Sequence, residues 1–213
     1  MIIINFKNYV LGKKSLELVK KIQKHLPRAI VAISPVDVRS VEYYTKARIF
    51  SQNVDFIKAN KSTGFINPRI IKHAKAEGTL LNHSEHKKPI REIKAILKEC
   101  REINLKVVLC TTNLGQLKEF RKLKPWAIAF EDPKLIGTGK SITKHRTHSI
   151  KKFAKALKST KIIPLCGAGI SSTEDYKEAL NLGCKGVLVS SAVAGPKTKN
   201  PEKFLKEVSQ IIK

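Results

Sequence analysis

Short apolar runs alternate with longer amphipathic stretches along this chain. Ile2–Phe6, Ile30–Ser34, Arg48–Gln52, Thr79–Asn82, Lys106–Thr111, Ala127–Glu131, Lys161–Cys166 and Gly186–Ser190 read as strands, being short, β-branched and nearly continuous in apolar character. A continuous apolar run, as opposed to an alternating one, belongs to a strand covered on both faces, as in a parallel sheet. Between these runs the period changes. Ile90, Ile93, Leu97, Cys100 and Ile103 recur at spacings of three and four, which is one stripe of a helix. The same pattern appears at Leu18, Val19, Ile22 and Leu26, at Ile150, Phe153, Ala154 and Leu157, and at Phe204, Leu205, Val208, Ile211 and Ile212. Val36–Ala47, Pro68–Glu77, Asn113–Leu123 and Thr173–Leu182 fill the remaining gaps as less cleanly patterned helices.

Eight strands alternating strictly with eight helices is the plan of an α/β protein of the (β/α)8 barrel type, expected here as a single domain over residues 1–213. A doubly wound open sheet is the alternative. It is disfavoured because no G-x-G-x-x-G follows the first strand.

A barrel concentrates chemistry at the C-terminal ends of its strands. The residues there are Asn5 and Lys7, Gln52, Asn82 and His83, Thr111, Glu131, Gly167 and Gly169, and Ser190 and Ser191. Together they offer an ammonium, an imidazole and a carboxylate. Glu131 closes the apolar run Trp126-Ala127-Ile128-Ala129-Phe130, and burial there is expected to raise its pKa toward that of a useful base. Leu135-Ile136-Gly137-Thr138-Gly139 follows soon after. Its paired glycines allow backbone N–H groups to approach an anion. Cys166-Gly167-Ala168-Gly169-Ile170 and Ser190-Ser191-Ala192 follow the last two strands. Loops in those places frequently hold phosphate in such barrels, whereas the simpler reading of Ser190-Ser191 is helix capping.

Composition narrows the classes. At 42% hydrophobic and 28% charged, the chain is not a disordered tail. It contains no run of eighteen apolar residues, and its first residues read as a strand, not a signal peptide, so no membrane association is expected. Cys100, Cys110, Cys166 and Cys184 lack C-x-x-C spacing, which points to reduced thiols in a cytoplasmic protein, without disulfides or a metal site. Forty-two lysines and arginines against seventeen acidic residues give a formal charge of +25. That balance raises a second reading, a basic nucleic-acid-binding protein on a barrel scaffold. The basic residues are spread over the chain, as at Lys13-Lys14, Lys87-Lys88 and Lys151-Lys152, and read mostly as solvated helix faces. With 6% aromatics, stacking residues are scarce, so nucleic acid is expected to bind at most nonspecifically.

Asn5-Phe6-Lys7, Gly78-Thr79-Leu80-Leu81-Asn82-His83-Ser84-Glu85-His86, Glu131 with Leu135–Gly139, and Leu165-Cys166-Gly167-Ala168-Gly169-Ile170-Ser171, in that order, resemble the triosephosphate isomerase family and its short archaeal-type branch. The resemblance runs from Ile2 to the end of the chain. It implies interconversion of dihydroxyacetone phosphate and D-glyceraldehyde 3-phosphate through an enediolate, with neither metal nor organic cofactor. By the same resemblance, Glu131 is the base, His83 polarises the carbonyl and Lys7 stabilises negative charge, with Asn5 beside it. Glu85 supports Lys7 and His83. Ile136, Gly137, Gly169, Ser190 and Ser191 bind the phosphate. A homo-oligomer is implied, a tetramer ahead of a dimer. Isomerisation needs a carbon base, a carbonyl electrophile and preorganised stabilisation of the oxyanion, and these residues supply all three. Lys7 and a helix N-terminus are expected to keep His83 neutral, and the loop Asp132–Lys144 to close over the phosphate. A slow or inactive homologue is the alternative, because the chain departs from the branch at several points. Asp132 stands where a second proline is usual, and is expected to disturb Glu131 or pair with a lysine. Lys134 replaces an acidic residue, and Lys140-Ser141-Ile142-Thr143 differs from the usual end of the closing loop. Ser190 replaces a common alanine. Ala192 replaces a common glycine, and its Cβ is expected to narrow the phosphate turn. In the third βα loop, Asn60-Lys61-Ser62-Thr63-Gly64, Thr63-Gly64 fits the family's intersubunit loop, but Ser62 replaces a histidine.

Overall fold

The computed structural model describes residues 1–57 and 62–212. Eight strands pair in parallel, each with its neighbours in chain order, and the last returns to the first. They are β1 (Ile2–Asn5), β2 (Ile30–Ile33), β3 (Arg48–Ser51), β4 (Gly78–Leu81), β5 (Lys106–Thr111), β6 (Ala127–Glu131), β7 (Ile163–Gly167) and β8 (Gly186–Val189). The closing pair sets Ile3 opposite Leu188. The expected (β/α)8 barrel is therefore the observed architecture.

The apolar runs are continuous because each strand feeds two cores. Ile3, Ile30, Phe50, Leu80, Val108 and Leu165 belong to a cluster filling the barrel. Their neighbours Ile2, Ile4, Val31, Ile49, Leu81 and Val107 join the larger cluster under the helices. Burying each such side chain contributes roughly 1.5–3 kcal/mol, so neither face tolerates a polar residue cheaply. Gly78 has a specific reason. A Cβ there would lie 2.5 Å from both the Lys106 carbonyl oxygen and the Phe50 ring. The space goes instead to the Phe50 ring, which packs 5.6 Å from the Trp126 ring between centroids.

The outer helices are α1 (Lys13–His25), α2 (Val38–Tyr44), α3 (Pro68–His73), α4 (Ile90–Glu102), α5 (Leu114–Phe120), α6 (Ile142–His145), α7 (Thr147–Leu157), α8 (Thr173–Asn181), α9 (Ser191–Ala194) and α10 (Pro201–Ser209). Two of them, α6 and α9, exceed the expected eight. Each has four residues, too few to repeat a stripe. α3 stops before its expected end because Lys75 turns to a positive φ of 72°. Asn82, expected as the last residue of β4, lies beyond it with φ 59°. Asn60 and Lys61 of the third βα loop lie outside the described residues, and Gly64 that follows has φ 82°.

Candidate active site

Each catalytic candidate sits where its strand stops and the backbone bends. After β1, Lys7 adopts φ 48°, a left-handed conformation that costs a non-glycine residue of order 1–3 kcal/mol. Two side-chain amides, of buried Asn5 and half-buried Gln52, hold it there. Its N–H donates to Asn5 Oδ1 at 3.0 Å, and its carbonyl accepts from Gln52 Nε2 at 2.8 Å. Its ammonium meets Glu85 Oε1 at 2.5 Å and lies 5.8 Å from the centre of the Tyr9 ring.

After β4, Asn82 fixes the turn that presents His83. Asn82 Nδ2 donates to the Cys110 carbonyl and Asn82 Oδ1 accepts the Lys88 N–H, both at 3.0 Å. His83 is buried, and its Nδ1 accepts the Glu85 backbone N–H at 3.3 Å. An Nδ1 that accepts carries no proton, so the neutral ring bears its hydrogen on Nε2. Nε2 faces Glu131 Oε2 across 3.4 Å.

Glu131 ends β6 with 4% of its surface exposed, and its Oε2 has no hydrogen-bond partner among the described residues. Gly167 on the adjacent β7 makes room for it, since a Cβ there would lie 3.1 Å from Glu131 Oε1. Burial pushes the Glu131 pKa up, as the sequence suggested. The adjacent His83, with Lys7 and Lys87, more than offsets that, and the net direction is downward. The Glu131 carboxyl is therefore ionised, not raised toward neutrality. For His83, burial works against the imidazolium, but Glu131 and then Glu85 draw the pKa above its ordinary value. Lys7 pulls it back only in part. The expectation that Lys7 lowers the His83 pKa is thus corrected in its net direction: the two carboxylates outweigh Lys7 and burial together.

The residues expected to hold phosphate come from three loops. Ile136 and Gly137, the latter at φ 75°, Gly169 at φ 67°, and Ser190 and Ser191 all line the cavity that also contains Asn5, Lys7, His83 and Glu131. Glu85 lines the adjoining cavity and reaches both Lys7 and His83. A Cβ at Gly169 would collide with the Lys140 carbonyl, so only glycine lets the β6 loop lie against the β7 turn. There the Ile142 N–H donates to the Ala168 carbonyl at 3.0 Å. Ser190 makes no side-chain cap on α9, and its buried hydroxyl has no partner among the described residues. Ala192 packs against the hydrophobic shell, and the cavity is lined by its neighbours Ser190 and Ser191. Asp132 pairs with Arg146 and not with a lysine.

Three contributors were missed from sequence. Tyr9 lines the cavity, Cys110 lies buried beside Glu131, and Lys87 sends its charge toward Glu131. Lys87 and Lys88 had looked like solvated charges. Lys87 is indeed exposed, but its Nζ lies 3.4 Å from the Asn82 carbonyl, and the half-buried Lys88 pairs its Nζ with Asp55 at 3.2 Å. Their place in the loop directly after β4 was the available signal.

Fold and site together define a (β/α)8-barrel protein that gathers an ammonium, an imidazole and a carboxylate with glycine and serine turns in one cavity at the strands' C-terminal mouth. Within that class, the triosephosphate isomerase family model matches residues 1–211, and the chain belongs to that family. It is 34% identical to a triosephosphate isomerase of Methanocaldococcus jannaschii over all of both chains. It is 37% identical to that of Saccharolobus solfataricus, over 97% of this chain and 93% of the relative. The crystal structure of triosephosphate isomerase from Bartonella henselae superposes with a TM-score of 0.69 over 99% of this chain and 98% of that one. At 15% identity, that likeness speaks for the fold alone.

Proposed function

We propose that this chain interconverts dihydroxyacetone phosphate and D-glyceraldehyde 3-phosphate, the aldose–ketose step of glycolysis and gluconeogenesis, and that Lys7, His83 and Glu131 carry the chemistry. The observation behind this reading is the buried, unpartnered Glu131 Oε2, 3.4 Å from the Nε2 of His83 in a cavity shared with Lys7 and the glycine turns. Ionised Glu131 removes a proton from the carbon beside the carbonyl. The carbonyl oxygen gains negative charge, which the Lys7 ammonium stabilises and the His83 Nε2–H protonates. His83 then recovers a proton from the neighbouring hydroxyl, and Glu131 returns its proton to the adjacent carbon. The former carbonyl carbon is now a carbinol, and its neighbour is the new carbonyl. The groups stand ready before charge develops, which is the condition for stabilisation without reorganisation.

The phosphate lies against Ile136, Gly137, Gly169, Ser190 and Ser191 in this proposal. Two glycines at positive φ and an unpartnered serine hydroxyl support that placement. The protein acts in the cytoplasm as a homo-oligomer, a tetramer ahead of a dimer. No described helix is long and apolar enough to cross a membrane. Nucleic acid is at most a nonspecific partner. A lysine-rich groove between α7 and α8 is lined by Lys151, Lys155, Lys158, Lys161 and Lys185 and by no aromatic side chain. Contact through phosphates alone is sequence-independent and weakens steeply with salt.

The test supplies purified protein with glyceraldehyde 3-phosphate and follows dihydroxyacetone phosphate through a coupled reaction. The wild type is expected to turn over, and Glu131→Asp, which withdraws the base by one methylene, to lower kcat by about 10²–10⁴-fold with the fold intact. An inactive wild type leaves the slow-homologue reading. A fully active Glu131→Asp removes Glu131 from the role of base.

A further inference from the structure

The residue directly after the base is itself a buried carboxylate, 8% exposed, and the acid–base chemistry above does not use it. Asp132 Oδ1 accepts the Lys134 N–H at 2.9 Å, and Asp132 Oδ2 accepts from Arg146 Nε at 2.6 Å. Arg146 stands fourteen residues away, between α6 and α7. Its N–H donates to the Ile142 carbonyl at 2.8 Å, and its carbonyl accepts the Ile150 N–H at 2.9 Å. One charge-assisted bond therefore ties the point where the chain leaves β6 to the point where it enters α7. The segment between, which includes Ile136 and Gly137, is bracketed by that tie and is held at one further point by the Ile142 N–H on the Ala168 carbonyl.

We propose that the Asp132–Arg146 pair is an ionic hinge. It fixes the direction in which the chain leaves Glu131, and it holds together the two ends of the loop that covers the phosphate. Both are positioning residues, because neither lines the cavity. Where the related branch usually stiffens this exit with a second proline, this chain obtains rigidity from an ion pair. The pairing also resolves an electrostatic difficulty. A bare carboxylate adjoining Glu131 would oppose its ionisation, whereas Asp132 faces a guanidinium. Arg146, with the Lys134 N–H, also holds the Asp132 carboxyl below its ordinary range against burial that acts the other way.

The hinge rests on the proposed isomerase activity, so its test carries one measurement that does not. Asp132→Asn, Arg146→Gln and the double variant are compared with wild type for kcat, KM and inorganic phosphate released per turnover. A loosened loop lets the enediolate electron pair expel phosphate by breaking the C–O bond, leaving an enol that becomes methylglyoxal. Each single variant is expected to lower kcat and raise phosphate release, both by about tenfold, the scale of one hydrogen bond between charged groups. The double variant is expected to be no worse than either single, and Arg146→Lys to recover part of the loss. In parallel, amide hydrogen exchange at Ile136 and Ile142 is expected to quicken in both single variants, whether or not the protein turns over substrate. Unchanged exchange in Asp132→Asn, or independent additive losses in the double variant, overturns the hinge. An inactive wild type whose loop exchange still quickens in the variants removes the isomerase reading and leaves the hinge.

Discussion

Between Glu131 and His83, burial and charge pull in opposite directions, and charge wins at both residues. The sequence made burial visible, because Glu131 ends so apolar a run. It did not show that an imidazole would stand 3.4 Å away, since β4 and β6 are far apart along the chain. In the proposed reaction, the pair is expected to set the pH profile. Glu131 is drawn below the ordinary carboxylate range, so it stays ionised throughout mildly acid pH. His83 is drawn above its ordinary 6.5. Protonating Nδ1 removes the acceptor for the Glu85 N–H and converts the ring to imidazolium. The acid limb of kcat/KM is therefore expected to follow His83 and to lie above that ordinary value, with activity lost as pH falls through it. The Glu85 charge raises the His83 pKa, so Glu85→Gln is expected to move the limb to lower pH. The substrate phosphate also titrates near pH ~6, but identically for both enzymes, so the displacement between the two profiles is what matters. A limb that stays in place, or moves upward, argues against His83 as the titrating group.

At the scale of elements, legibility tracked length and period. Every strand announced itself, because a run buried on both faces has few polar interruptions. The long helices α1, α4 and α7 did so through their stripes. α6 and α9 were illegible, since four residues make barely one turn. Strand ends were also misplaced where a non-glycine residue takes a positive φ, as at Asn82. That bend is imposed by the Cys110 carbonyl and the Lys88 N–H, both contributed by tertiary structure or by the following loop. The candidate site was readable as a set of strand-end residues. The Asp132–Arg146 tie was not, because no local pattern joins residues fourteen apart across a turn. Gly78 gives a test of packing separate from chemistry. Gly78→Ala forces a methyl group into the Phe50 ring and the Lys106 carbonyl at the end of β4 away from the active site. Overpacking of this kind costs about 1–3 kcal/mol, and each kcal/mol lowers Tm by about 2–4 °C in a domain of this size. The variant is expected to melt earlier while KM stays unchanged. An unaltered Tm shows that the barrel floor yields without cost.

For the molecule as a whole, charge and exposed apolar surface make opposing demands. A protomer of formal charge +25 repels its copies. Yet Tyr9, Leu11, Val36, Tyr43, Tyr44, Phe65 and Ile70 are all exposed, and all fall in the first third of the chain. That places them on consecutive βα units, β1 through α3, instead of scattering them around the barrel. Beyond these, Leu180 is the only other large hydrophobic side chain this exposed among the described residues. Isolated exposed apolar residues need no explanation, but a concentrated sector marks a surface that associates. A single such sector suffices for a two-fold pair, and a tetramer with dihedral symmetry needs a second contact. Screening decides how the balance shifts, because the Debye length falls from about 30 Å at 0.01 M salt to about 10 Å at 0.1 M. Light scattering is therefore expected to give a larger mass at moderate salt than at low salt, and replacing Tyr44 and Phe65 together by lysine to reduce the assembly at both. Those substitutions lie outside the cavity that holds Glu131, so residual turnover in the dissociated protein separates assembly from catalysis. A monomer under both salt conditions excludes the homo-oligomer. An assembly that survives Tyr44→Lys with Phe65→Lys moves its contact away from the β1–α3 sector.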